Sequence, residues 1–97
     1  MLEHVVFLLL NKSRLTQEMR NDICVLADAV RAELNMDLEN RVTFLDLDRS
    51  DLETAVSFWQ FQTQMDLQRF QSCNAHRAHL ALLKEALEDK AVFDRSF

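Results

Sequence analysis

The stretch Leu2-Glu3-His4-Val5-Val6-Phe7-Leu8-Leu9-Leu10 constrains this chain more than any other. In an extended backbone, successive side chains point to opposite faces. Leu2, His4, Val6, Leu8 and Leu10 therefore share one face, and Val5, Phe7 and Leu9 share the other. An edge strand with one wet face would alternate apolar with polar residues. This one is apolar on both sides and reads as a central strand that needs cover on each. A chain of 97 residues must supply that cover as a single domain, residues 1–97.

One cover is legible further along. Thr16 is placed to cap a helix, with Glu18 in the first turn where the helix dipole favours an acid. Met19, Ile23, Leu26, Ala27, Val30 and Leu34 then recur in steps of three and four, and the stripe ends near Asn35. Residues 36–40 read as a linker and residues 41–48 as a strand, with Val42 and Phe44 opposite Thr43, Leu45 and Leu47. Asp48-Arg49-Ser50-Asp51 is a dense turn cluster and predicts a hairpin. Residues 53–62 form the next strand, with Ala55, Ser57, Trp59 and Phe61 on one face and Val56 and Phe58 on the other.

Thr63-Gln64-Met65-Asp66 has the form of a helix start, followed by Leu67 and Phe70. Ser72-Cys73-Asn74 interrupts the pattern, and Asn74 is the expected cap of a second helical segment carrying His76, Leu80, Leu83 and Leu87. Residues 90–97 close the chain as a strand. The order is β-α-β-β-α-β, which predicts an α+β, ferredoxin-like protomer with its helices on one face of an antiparallel sheet.

That arrangement leaves the second face of the central strand uncovered. A large wet apolar face exceeds what a monomer usually tolerates. A second copy, packed sheet to sheet about a two-fold axis, is the simplest cover. The chain also has neither glycine nor proline. Positive backbone φ should then fall on Asn or Asp, and Asn11, Asn35, Asn40, Asp48, Asp51 and Asn74 all stand where elements should end.

The composition narrows the partners. Net charge is −5, with the basic residues scattered among a larger number of acids, so no nucleic-acid surface is expected. The apolar run near the start is too short for a membrane span and lacks the basic flank of a signal peptide. Cys24 and Cys73 form no Cys-x-x-Cys pair and fit a reducing compartment, so the expectation is a cytoplasmic protein. No Gly-rich phosphate loop and no Ser/His/Asp set is present.

Three segments resemble the stress-responsive dimeric α/β-barrel (Dabb) family. Glu3-His4-Val5-Val6 resembles its opening strand, Phe70-Gln71-Ser72-Cys73-Asn74-Ala75-His76 its second-helix motif, and Val92-Phe93-Asp94 its closing strand. The resemblance implies a ferredoxin-like protomer whose sheet pairs with a second copy in a homodimeric barrel. It also implies a hydrophobic or aromatic small molecule in the barrel and acid–base chemistry without a cofactor. Cys73 and Asn74 depart from the His-Pro of that motif. Phe70 stands where related plant polyketide cyclases use a Tyr, so the hydroxyl of a cyclase-type pair is missing. The alternatives are a non-catalytic stress-associated or assembly protein with a packed barrel, or a cofactor-free monooxygenase-like enzyme.

Within that frame His76 is the candidate catalytic base: near a helix N-terminus the dipole disfavours the imidazolium and leaves a neutral imidazole. His4, on the face that the resemblance turns into the barrel, is a candidate ligand-binding residue, with Ser57, Trp59 and Phe70. His79 follows His76 by one helical step, but no acid or thiol stands at ligand spacing with the histidines, so no metal site is assigned. Trp59 with Phe61 decides whether a chamber exists or is filled.

Overall fold

The computed structural model describes residues 1–46 and 51–97. Their elements are β1 (Leu2–Asn11), α1 (Gln17–Leu34), β2 (Leu38–Asp46), β3 (Leu52–Phe61), α2 (Gln64–Ser72), α3 (Asn74–Leu83) and β4 (Leu87–Ser96). The sheet order is β2-β3-β1-β4 with every neighbour antiparallel. This is the ferredoxin-like topology, and the doubly apolar β1 lies inside it between β3 and β4. The expected hairpin residues Asp48, Arg49 and Ser50 lie outside the described residues.

Local chemistry sets the helix ends. The Thr16 hydroxyl accepts the Met19 N–H at 3.1 Å, and Asn35 closes α1 in the left-handed region at φ 50°. Among the described residues Asn35 alone takes a positive φ. Asn11 and Asn40 instead sit within strands and Asn74 within a helix, where φ is negative. The Thr63 hydroxyl accepts the Asp66 N–H and starts α2.

Several boundaries differ from the sequence expectation. β2 begins at Leu38, so the supposed linker already carries a core residue. Leu87 opens β4 instead of extending the last helix. The cap of α3 is Cys73, not Asn74. Its backbone is extended, and its Sγ accepts the His76 N–H at 3.4 Å. The Glu33 carboxylate takes the place expected for an Asn74 side chain, accepting the Asn74 and Ala75 N–H groups at 2.8 Å each. A carboxylate forty residues upstream satisfies the free donors that a local cap would otherwise serve.

The helices cover the face that carries Leu2, His4, Leu8 and Leu10. Two apolar clusters fill the space between. One gathers Leu26, Val30, Leu38, Trp59, Phe61, Leu67 and Phe70, the other Leu8, Leu10, Met19, Ile23, Ala55 and Leu83. Val6 packs against both, so the seam between them crosses the middle of β1. Each fully buried Leu or Phe contributes roughly 1.5–3 kcal/mol.

Among the described residues no element covers the opposite sheet face. Register places Arg41, Phe58, Val5 and Phe93 in one row and Thr43, Val56, Phe7 and Ala91 in the next. Phe93 is 62% exposed and Leu45 49% exposed. Phe7 and Phe93 meet edge to face at 5.7 Å, and the Arg41 guanidinium lies 4.8 Å from the Phe58 ring centre. No described helix is long and apolar enough to cross a membrane.

Candidate functional site

The seam between the two clusters opens into a pocket of about 80 Å³ between α3 and β4. Its floor is β1 and β3, contributing His4, Val6, Leu8, Ser57 and Trp59. Ile23, Leu26 and Phe70 form its walls. Gln71, His76, Leu80, Lys90 and Val92 rim the mouth, and the buried His79 completes the lining. His4, Ser57, Trp59, Phe70 and His76, read separately from the sequence, thus border one space. It lies between the helices and the sheet of one protomer. His4 faces the helices, so the face that the resemblance turned toward a barrel interior is the one already covered within the chain.

All of the chain's histidines line this pocket, and each is tied at Nδ1. His4 sits on the floor, its side chain 5% exposed, and Nδ1 donates to Asp94 Oδ1 at 2.5 Å across the β1–β4 pair. His79 Nδ1 donates to Asp22 Oδ2 at 2.5 Å, joining α3 to α1. An ionised carboxylate only accepts, which places the proton on Nδ1 in both. His76 Nδ1 donates to the Gln71 carbonyl at 3.1 Å, which selects the same tautomer. The remaining nitrogen, Nε2, is then a lone-pair acceptor in each neutral ring. Among the described residues no fully buried side-chain nitrogen lacks a partner. The Nε2 atoms, which have no protein partner among the described residues, therefore retain some solvent access.

Burial lowers the His76 pKa below its ordinary value of 6.5, against the opposing pull of the Gln71 carbonyl; His79, Lys90 and His4 push further in the lowering direction. His76 is thus a neutral base at pH 7. The sequence argument reached the same state through the helix dipole; the larger cause in the fold is desolvation.

The aromatic residues form a stack beside the pocket and do not fill it. Trp59 lies parallel to Phe61 at 6.0 Å, with an interplanar angle of 5°, and Phe70 packs on Trp59 at 4.5 Å. Phe70 also touches the His76 ring at 4.7 Å and the His4 ring at 6.0 Å. Phe61 is wholly buried behind Trp59. The Ser57 hydroxyl accepts from Asn40 Nδ2 at 3.0 Å, which leaves its own proton free to donate.

Sequence reasoning missed Asp94, Asp22, Asn40, Glu33 and Lys90. His4 and Asp94 are ninety residues apart, and no local spacing reports their meeting. Register could have found the pair, since an antiparallel β1–β4 ladder sets His4 opposite Asp94. Among the described residues no group of three His, Cys, Asp or Glu side chains is placed to hold a metal ion.

Neither a protein-family model nor a curated protein sequence matches the chain. Solved structures do match its fold. A dimeric protein of unknown function and ferredoxin-like fold from Bacteroides fragilis is 17% identical at a TM-score of 0.70, covering 99% of this chain and 95% of that one. A protein from Nitrosomonas europaea with the provisional name of antibiotic biosynthesis monooxygenase is 8% identical at a TM-score of 0.78, covering 100% and 98%. A de novo designed protein is 18% identical at a TM-score of 0.60, covering 98% of both. The chain therefore shares the ferredoxin-like fold found in dimeric and monooxygenase-type proteins, and the match to a designed chain shows that this fold alone carries no function.

Proposed function

We propose that the protein is a small enzyme of the dimeric α/β-barrel kind, related to the Dabb and antibiotic-biosynthesis monooxygenase proteins. In this reading the α3–β4 pocket holds a hydrophobic or aromatic small molecule, and an imidazole Nε2 removes a proton from it. The observation that carries the reading is the convergence of His4, His76 and His79, each anchored at Nδ1, on a pocket walled by Trp59 and Phe70. Such an anchored ring is oriented and tautomerically fixed before substrate arrives, which is what general-base catalysis requires.

His76 is the proposed base, with neutral Nε2 at the mouth; the His4–Asp94 pair is proposed to accept or return a proton at the floor. A phenol or an enolisable carbon deprotonated there becomes an electron-rich anion. It can take its proton back at another position or, as in a cofactor-free monooxygenase, react with dioxygen. The likeness in fold to the Nitrosomonas protein supports the second outcome.

The uncovered sheet face supports a homodimer. Val5, Phe7, Val56, Phe58 and Phe93 form a continuous apolar area on it. Sedimentation equilibrium at micromolar concentration should give a dimer, and a clean monomer would remove this element of the proposal.

The decisive variant is His76→Ala. Alanine is the better helix former, so stability should change by no more than about 1 kcal/mol, while turnover of an identified substrate falls about 100-fold or more. A clear loss of stability with unchanged turnover would end the catalytic role. One observation favours a second, non-catalytic reading: about 80 Å³ is roughly half the ~150 Å³ of an engineered cavity that admits benzene. In that reading no small aromatic molecule perturbs Trp59.

A further inference from the structure

The polar lining of the pocket has a one-sided character. It offers His4, His76, His79, Lys90, Ser57 and Gln71, and no carboxylate. The nearest acids, Asp94 and Asp22, lie behind histidines, each turned onto an Nδ1. In an acidic chain of net charge −5, this pocket is thus lined without a carboxylate side chain.

Of the Lys and Arg residues, Lys90 is the one that lines this pocket. Lys12, Arg20, Arg31, Arg69 and Arg95 each pair with a carboxylate. Among the described residues Lys90 has no ion-pair partner, yet it reaches the pocket rim from β4, opposite Leu8. Its charge is felt inside, since it disfavours protonation of His76. The rest of the lining is apolar, and Trp59 and Phe70 suit a flat π-surface.

We propose that the pocket selects a small planar monocarboxylate, its ring against Trp59 and Phe70 and its carboxylate at the mouth facing Lys90. The inference rests on the ligand-pocket reading above and adds the charge of the ligand. At about 80 Å³ the pocket takes a ring edge first and only in part, and the charged head stays at the wet rim, where its desolvation costs least. A cationic ligand would meet Lys90 with like charge, and a neutral ring would gain nothing from its ammonium.

The chain has a single tryptophan, Trp59, on the pocket floor, so its emission reports occupancy directly. Benzoate and benzamide, nearly equal in shape and different in charge, are titrated at neutral pH and low salt. Benzoate should bind about tenfold more tightly or better, and added salt should narrow the gap. Lys90→Met should bring the two ligands to similar affinity, while Lys90→Arg keeps the preference. Because Lys90 is exposed on an edge strand, both variants should fold. Equal affinity of the two ligands in the unchanged protein, or a preference that survives Lys90→Met, overturns the charge selection and leaves the aromatic pocket standing. If neither ligand alters Trp59 emission or melting temperature, the ligand-pocket reading itself falls and takes this inference with it.

Discussion

Two ends of the helix-covered face treat buried polar groups in opposite ways. At the Leu10 end, Glu53 is 8% exposed, and both of its oxygens are taken by Arg20, one through an Nη2 contact at 3.0 Å. The guanidinium also lies over the Phe44 ring at 5.5 Å. This bidentate pair satisfies both carboxylate oxygens and has nothing left to offer a ligand. At the Leu2 end, His4 is 4% exposed, but its carboxylate partner engages one nitrogen and leaves the other without a protein partner. Saturated polar groups hold a fold together, whereas a half-saturated one keeps an atom free for a ligand.

Substitutions can break this contrast. The largest expected effect is that of Glu53→Ala. It strands Arg20 beside the core, and the protein should lose about 2–3 kcal/mol in urea unfolding, with ligand affinity per folded molecule unchanged. A comparable loss of affinity would show that the two ends are coupled.

His4→Phe keeps the ring and removes both nitrogens. Asp94 is half in solvent and rehydrates, so stability should fall by only about 1 kcal/mol. Activity should drop far more than stability if the floor histidine handles a proton. Equal losses in the two measurements would make His4 a second Arg20–Glu53, a purely structural pair.

Glu33→Ala tests the positioning of α3. Its carboxylate serves the Asn74 and Ala75 N–H groups, and His76 follows directly in the first turn. Loss of this cap should cost about 0.5–1 kcal/mol. Glu33→Gln should restore part of that stability through its amide oxygen.

The smallest effect is in pH. His76 titrates below 6.5 in the folded chain, so the unfolded chain binds more protons between the two values. Its contribution to stability is therefore complete above pH 6.5 and lost as the pH falls through the folded value. The denaturation midpoint of the natural chain should fall more steeply from pH 7 to about 5 than that of His76→Asn. Equal slopes would mean that the imidazole is as well solvated as in the unfolded chain.

Much of the architecture was legible before any coordinates. β1 at the sheet interior followed from its two apolar faces, and α1 from Thr16, its apolar stripe and Asn35. These are local signals, carried by residues within one turn or one pleat of each other. The failures were local signals overruled from far away. Asn74 looked like a cap, but Glu33 reaches across from α1 and Cys73 holds the corner. Residues 36–40 looked like a linker, but pairing with β3 extends them into strand as far as Leu38.

The same division runs through the site. The amino-acid sequence by itself determined which residues could do chemistry: few histidines, one tryptophan, and a helix break that sets His76 near a start. It also placed His4, Ser57 and Trp59 on matching strand faces, because alternation along a strand is a property of the backbone. What only the tertiary structure decided is what each of these groups faces. The β1–β4 register brings Asp94 to His4, and the packing of α3 on α1 brings Asp22 to His79. The seam between two apolar clusters leaves space among them. Such contacts depend on relative placements of elements far apart in the chain, and no short stretch of sequence encodes them.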